Sequence, residues 1–304
     1  MDRIDAMRIF TRVLEQRSFT LAANNLQMPR STVTDAVKKL EARLGVRLLE
    51  RTTRHVSPTL DGENFYQRCI NIINEVEDAE NLFTASNPKG VLRVNVHGTL
   101  ARHFILPKLP EFLSSYPEIE LFMSEGDRLV DLLREGIDCV IRVGALHTEE
   151  LVARKITMLE EVTVASAEYV QHHGLPRTLE ELSHHKMVGY CVTGKSVAMP
   201  LEFTVKGKLV YQSLPTSLLV NSAESLVDAA RLGLGIIQVP RYHIEKDLIE
   251  GNLIELFSSF PPASSPVWVL YPRTRNESPR VRVFIEWLNM TLGTKSLKGL
   301  PCKK

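Results

Sequence analysis

The sequence predicts a multidomain protein. A helix-rich winged helix-turn-helix covers residues 1–58, a long linker helix covers 59–87, and a bilobed α/β domain covers 88–304. Within the last part, lobe I takes about 90–160 and 268–293, and lobe II about 161–267. Three observations carry this reading. Apolar residues in the first sixty positions recur at helical steps in three short runs. A regular 4-3-4-3-4 spacing then runs from Phe65 to Phe83, and beyond it β-like and helix-like patterns alternate.

The first helix is read from Ile4, Met7, Phe10, Val13 and Leu14, which share one face. Ser18-Phe19-Thr20 interrupts it, and Thr20 is the expected cap of a short second helix over 21–26. After Gln27-Met28-Pro29 a third helix begins, with Pro29 tolerated in its first turn. Val33, Val37, Leu40 and Leu44 form its buried stripe, and Gly45 stops it. The opposite face carries Arg30, Ser31, Thr32, Thr34, Asp35 and Lys38, side chains suited to base edges in a major groove. Residues 46–56 follow as a two-stranded wing, with Arg51 and Arg54 near its tip for backbone phosphates or the minor groove. Taken singly, each of these charges reads as a solvated helix face; the spacing of three helices and a wing makes them a DNA-reading set.

Charge distribution agrees. The net charge of the 304 residues is +1, but residues 1–62 hold eleven Lys or Arg against seven Asp or Glu, and 63–89 hold two against five. The positive excess therefore lies where a nucleic-acid reader needs it. A content of 44% apolar and 24% charged residues excludes a chain disordered throughout. The charged, amphipathic start (Met1-Asp2-Arg3-Ile4) is no apolar secretory core, and no run suits a membrane span, so a cytoplasmic protein is expected. Cys69, Cys139, Cys191 and Cys302 are widely spaced, which fits reduced thiols better than a disulfide framework or a zinc site.

In the linker, Phe65, Cys69, Ile72, Val76, Ala79 and Phe83 make an a/d seam on a helix of about 25 residues, roughly 38 Å long. Thr59 is its expected cap, and Asp61 and Glu63 suit the helix dipole. Such a stripe needs a partner: the same helix of a second copy is the simplest one, and the chain's own C-terminal domain is the alternative. Ser86-Asn87-Pro88-Lys89-Gly90 ends the segment.

The α/β part is read as strands over 91–96, 119–124 and 139–143 with helices over 103–115 and 128–134. A second set follows: strands over 161–165, 186–190, 218–221 and 236–239 with a helix over 222–232, then a late strand over 268–272 and a closing helix over 280–292. Alternation of this kind implies parallel sheets with a ligand cleft at the carboxyl ends of strands. The tail after Gly293 is expected to fray.

The runs Ser18-Phe19-Thr20-Leu21-Ala22-Ala23, Ser31-Thr32-Val33-Thr34, Leu40-Glu41-Ala42-Arg43-Leu44-Gly45-Val46-Arg47-Leu48-Leu49 and Arg51-Thr52-Thr53-Arg54 closely resemble the LysR-type transcriptional regulators. Weaker likeness continues through Leu106-Pro107, Tyr116-Pro117-Glu118-Ile119-Glu120-Leu121 and Gly235-Ile236-Ile237. The resemblance implies a bacterial regulator that binds double-stranded operator DNA and dimerises through its linker helix. It also implies tetramers on DNA and a small-molecule effector held in a domain similar to periplasmic solute-binding proteins. RNA polymerase is a further candidate partner. Two departures stand out. Pro29 occupies a position where the family usually has a small capping residue, and Asp35 one that is often basic or an amide. An acid at Asp35 can accept from cytosine N4, or pair within the helix with Lys38 or Lys39.

Geometry and resemblance together nominate effector contacts. Gly98, Thr99 and Leu100 lie between a strand and its helix, where amides and the Thr99 hydroxyl suit an anion. Arg142 and Gly144 end the third strand, Asn221 and Ser222 precede the second-lobe helix, and Cys191 follows a strand toward the cleft. A small organic or carboxylate ligand fits these groups. A plain N-cap role for Thr99 and Ser222 and a surface ion pair for Arg142 are the alternatives.

No enzyme, cofactor or metal is expected. The pairs His172-His173 and His184-His185 lack HExxH or carboxylate ligand spacing, Gly233-Leu234-Gly235 is no dinucleotide fingerprint, and no P-loop or Gly-x-Ser-x-Gly elbow occurs. A solute-binding or enzymatic α/β protein with a helical front end would need a leader or a nucleophile with its base, and neither is found.

Overall fold

The computed structural model describes residues 2–51, 56–83, 88–126, 131–146, 151–192, 196–273 and 278–293. The head starts with α1 (Arg3–Gln16), closed by a capping box between Asp2 and Asp5. Helix α2 (Phe19–Asn25) begins one residue before Thr20, because Ser18 and not Thr20 caps it, accepting from the Leu21 amide at 3.3 Å. Helix α3 (Arg30–Leu44) starts after Pro29, which caps without a side-chain bond, and ends at Gly45 in the left-handed region, φ 73°. Its buried residues are Val33, Ala36, Val37 and Leu40. Leu44, expected at the end of the buried stripe, is 39% exposed one turn past Leu40, and Leu48 and Leu49 enter the core from the chain that follows instead.

Strands β1 (Leu49–Arg51) and β2 (Val56–Pro58) pair antiparallel as the wing. Arg54 and the side chain of Arg51 lie outside the described residues. The wing is tied to the linker helix α4 (Leu60–Phe83) by Thr59, whose hydroxyl accepts from the Gly62 amide at 2.9 Å and donates to the Arg47 carbonyl at 2.7 Å. A side chain on Gly62 would overlap the Leu48 carbonyl oxygen, so only glycine lets α4 approach the wing this closely.

The expected seam of α4 divides between two faces. Cys69, Ile70, Ile73, Asn74 and Asp78 are buried against the chain's own domains, while Ile72 is 40% exposed and Ala79 is exposed. Phe65 leans on Phe10 of α1 with ring centroids 5.6 Å apart. The head thus takes the first half of the helix, leaving Ile72, Val76 and Ala79 on the outer flank; the side chain of Phe83 lies outside the described residues.

Lobe I opens with β3 (Gly90–Val96). The helical run after it starts at Gly98, five residues earlier than expected, as α5 (Gly98–Leu100). It continues through a π turn (Ala101–Ile105) and a 3-10 turn (Leu106–Lys108) into α6 (Leu109–Ser115). Pro107 and Pro110 each lack an amide donor, which breaks regular α geometry there. Next come β4 (Ile119–Glu125), α7 (Leu132–Glu135) and β5 (Cys139–Val143). Part of the helix expected over 128–134 falls outside the described residues.

Strand β6 (Leu151–Leu159) was not legible, because Arg154 and Lys155 interrupt its apolar pattern at the sheet edge. Lobe II comprises β7 (Glu161–Ser166), α8 (Ala167–His173), β8 (Met187–Tyr190), the hairpin β9 (Leu201–Val205) and β10 (Lys208–Gln212), and β11 (Thr216–Val220). It is completed by α9 (Ala223–Arg231), β12 (Ile237–Pro240), α10 (Glu245–Glu250) and β13 (Leu253–Leu256). The chain then returns to lobe I as β14 (Ser265–Pro272) and α11 (Pro279–Leu292).

The sheets are mixed, not parallel as expected. In lobe I the order is β4-β3-β5-β14-β6, parallel among the first three, with β14 antiparallel to both its neighbours. In lobe II β7 pairs antiparallel with β12 and β13, while β8 and β11 are parallel. A parallel neighbour needs a crossover on the same sheet; β14 arrives from the other lobe and enters from the opposite end.

Candidate functional site

Two sites emerge, one on the head and one between the lobes. On α3 the side chains of Arg30, Ser31, Asp35 and Lys38 are exposed, while Thr32 and Thr34 are half-buried on its flanks. The Thr34 hydroxyl donates back to the Arg30 carbonyl at 2.9 Å, which leaves it as an acceptor toward the outside. Among the described residues the Arg30, Asp35 and Lys38 side chains make no ion pair or hydrogen bond. The other acid facing this region, Glu41, is occupied: its Oε1 accepts from the Leu48 and Leu49 amides at 2.9 and 3.1 Å and holds the wing.

Between the lobes the expected residues meet unforeseen partners. Thr99 is 2% exposed, and its hydroxyl lies 2.6 Å from the Tyr242 hydroxyl of lobe II and 2.9 Å from His97 Nδ1. The hydroxyl nominated for an anion thus meets Tyr242 across the cleft. Leu100 packs wholly inside the lobe I core, so its side chain is no cleft contact. The Arg142 guanidinium donates to the Asn95 side-chain oxygen at 2.5 Å and to the Ile141 carbonyl at 3.0 Å, a strut between β3 and β5. Gly144 is a turn residue at φ 98°, its carbonyl accepting from Trp268 Nε1 at 3.0 Å. Ser222 caps α9, Asn221 is exposed beside it, and Cys191 is buried with its amide donating to the Val220 carbonyl.

Sequence reasoning missed the groups that join the lobes. Arg102 bridges Glu125 of lobe I and Glu224 of lobe II, each at 2.9 Å. The His103 ring sits 5.2 Å from Tyr242 and 5.5 Å from His243, and Phe104 lies 4.8 Å from Tyr242. Arg241-Tyr242-His243 follows the carboxyl end of β12, a position where ligand loops belong, and that placement was the available signal. Burial, then the neighbouring His103, pushes the His243 imidazole down from 6.5 to about 4, with Arg231 and His97 adding to the effect and Glu224 opposing it. His103 is pushed down as well, chiefly by burial. Both rings are therefore neutral near pH 7.

A histidine whose folded value is depressed destabilises the fold as acid charges it, beginning below about pH 6.5 and completing below about pH 4. Interlobe stability is expected to fall by about 2–3 kcal/mol across that window. His243→Gln should flatten this part of the profile in urea titrations at stepped pH; an unchanged profile would show that His243 does not titrate at the junction.

A helix-turn-helix with an unpaired polar outward face, joined by one long helix to two α/β lobes, defines a DNA-binding sensor. The comparisons agree. Residues 4–63 match the family described as bacterial regulatory helix-turn-helix protein, lysR family, and residues 85–293 match the LysR substrate binding domain. The chain is 37% identical to the HTH-type transcriptional regulator YhjC of Escherichia coli K12, over 95% of this chain and 97% of that one. It is 32% identical to the transcriptional activator AaeR of the same organism, over 95% and 93% respectively. Among solved structures, the LysR-type transcriptional regulator CrgA of Neisseria meningitidis aligns with TM-score 0.61 at 30% identity, covering 95% of this chain and 98% of that one. This chain belongs to the LysR family: it is a transcriptional regulator with an effector-binding domain, and these families are regulators rather than enzymes.

Proposed function

We propose that the protein reads operator DNA with the outward face of α3 and the wing, and that a small organic effector or carboxylate entering between the lobes changes how it does so. The carrying observation is the outward face itself, where Arg30, Ser31, Asp35 and Lys38 stand exposed and the charged ones unpaired among the described residues. Arg51 and Arg54 are the proposed wing contacts. Two copies would dimerise through the outer flank of α4 at Ile72, Val76 and Ala79, and dimers would pair into tetramers on DNA. RNA polymerase is a further proposed partner, and the cytoplasm the proposed location; among the described residues no helix is long and apolar enough to cross a membrane.

For the effector, Gly98, Thr99, Arg142, Gly144, Asn221, Ser222 and Cys191 remain proposed lining groups, together with Arg102, Tyr242 and His243. The support is chemical. The buried His243 Nδ1 has no hydrogen-bond partner among the described residues, and Arg102 holds two carboxylates that an anionic ligand can replace. Because Tyr242 and Glu224 bridge the lobes, an effector that separates them from Thr99 and Arg102 would change the lobe angle, and α4 would pass this to the heads.

Footprinting on the DNA upstream of the protein's own gene, at near-physiological salt with competitor DNA, tests the reading. A protected site of two-fold character is expected, with Arg30→Ala weakening it by about 5-fold or more. No sequence-selective protection at any salt, with Arg30→Ala and Arg51→Ala indistinguishable from the wild type, would remove the DNA-reading role.

A further inference from the structure

We infer that Asp35 is a base-reading residue that selects a cytosine in each operator half-site, an inference that rests on the DNA-reading role proposed above. Helix α3 buries Val33, Ala36, Val37 and Leu40. At 3.6 residues per turn, the positions opposite that face are Ser31, Asp35, Lys38 and Ala42, and all four are exposed. Arg30 and Thr34 lie toward one flank, Thr32 and Lys39 toward the other. A recognition helix in the major groove turns its centre to the base edges and its flanks to the phosphate strands. Arg30 on one flank of α3 and Thr32 and Lys39 on the other are thus donors fit for phosphate, and its one outward carboxylate stands at the centre, in the N-terminal half that enters the groove.

An acid at that position has a bland alternative, which is neutralisation inside the helix. Lys38 and Lys39 are three and four residues away, within reach of an intrahelical pair. The structure forms neither pair: the Asp35 carboxylate makes no ion pair or hydrogen bond with any described residue. Nor does it brace the wing, because Glu41 does that through the Leu48 and Leu49 amides.

Base chemistry then decides what the carboxylate accepts. Guanine shows only acceptors in the major groove, and thymine an acceptor and a methyl group, so both repel or fail to bind it. Adenine offers its N6 amino group beside the N7 acceptor, which opposes a carboxylate spanning the two. Cytosine presents the N4 amino donor without an adjacent acceptor, and it is the complement of Asp35. The surrounding Arg30, Lys38, Lys39 and Arg43 of the same helix offset the repulsion between this acid and the DNA backbone.

The test is selection of duplexes from a randomised pool by the purified full-length protein, followed by affinity measurements on the enriched site for wild type, Asp35→Asn and Asp35→Ala. The wild-type pool is expected to carry a C·G pair at one position of each half-site, and exchanging that pair should weaken binding about 5- to 150-fold. Asp35→Asn, whose amide both donates and accepts, should move the selected base to adenine at that position alone. Asp35→Ala should bind all four bases there within about 2-fold while keeping the rest of the site. An enriched wild-type site that both variants select unchanged overturns this inference and leaves the DNA-reading role standing. A wild-type pool with no enriched site overturns that role and this inference together.

Discussion

Replacing Arg280 by Met is expected to destabilise the protein by about 3–5 kcal/mol, the cost of breaking a buried ion pair from one side. Arg280, in the first turn of α11, is 0% exposed and donates to Asp78 at 2.8 Å and to Glu77 at 3.3 Å, both on the linker helix. Ser278 donates to the same Asp78 oxygen at 3.0 Å. Removing the guanidinium takes from the buried Asp78 and from Glu77 the cation that each meets on α11.

Glu77 also meets Arg8 of α1 at 3.4 Å, so this carboxylate touches the head and the effector domain at once. A second such junction has Glu15 of α1 accepting from the Tyr66 hydroxyl at 3.1 Å, with Arg93 of β3 at 3.9 Å. Urea unfolding followed by tryptophan fluorescence is the check, because both tryptophans, Trp268 and Trp287, lie in lobe I, the latter on the same helix as Arg280. A midpoint unmoved by Arg280→Met would refute the role. Adding Asp78→Asn to Arg280→Met should recover part of the loss, since it removes the stranded charge.

Phe10→Ala is expected to cost a similar amount, about 3–5 kcal/mol, but within the head alone. Phe10 is wholly buried among Val13, Val33 and Val37, and its ring meets Phe65 of the linker helix. The truncation opens a cavity that three short helices cannot collapse around without losing their register on α4. Operator binding should disappear and an early helical transition should show in circular dichroism, while the tryptophan transition of lobe I moves by less than about 0.5 kcal/mol. A single shift shared by both signals would mean that head and effector domain unfold as one unit.

Much of the head was legible because its determinants are local. The Gly45 stop and the Thr59 cap act within a few residues, and the α3 stripe follows from helical periodicity. Errors there were small and had local causes: Ser18 outcompetes Thr20 as cap, and Leu44 lies past the core. The cleft was half legible. Strand-to-helix junctions pointed to Thr99 and Ser222, but not to their occupants. Thr99 and Tyr242 are 143 positions apart, and no spacing pattern reports such a pair. The hairpin of β9 and β10 was missed although β9 alternates, with Leu201 and Phe203 buried; in β10 the apolar Leu209 and Tyr211 are exposed, so that strand lacks the alternation of a half-buried one.

By itself the sequence determined that this chain has a helix-turn-helix head, one long helix and two α/β lobes, since capping, turn chemistry and apolar period are short-range properties that each segment carries with it. Only the tertiary structure decided which face of α4 stays inside the subunit, that β14 runs antiparallel, and that Arg102 and Tyr242 bridge the lobes. It also decided that Arg280 is buried on two linker carboxylates, and that Asp35 is left unpaired among the described residues. Each of these depends on which distant surfaces meet. Burial and pairing of a charge are set by the groups that happen to surround it in space, and those lie up to 203 positions away along the chain.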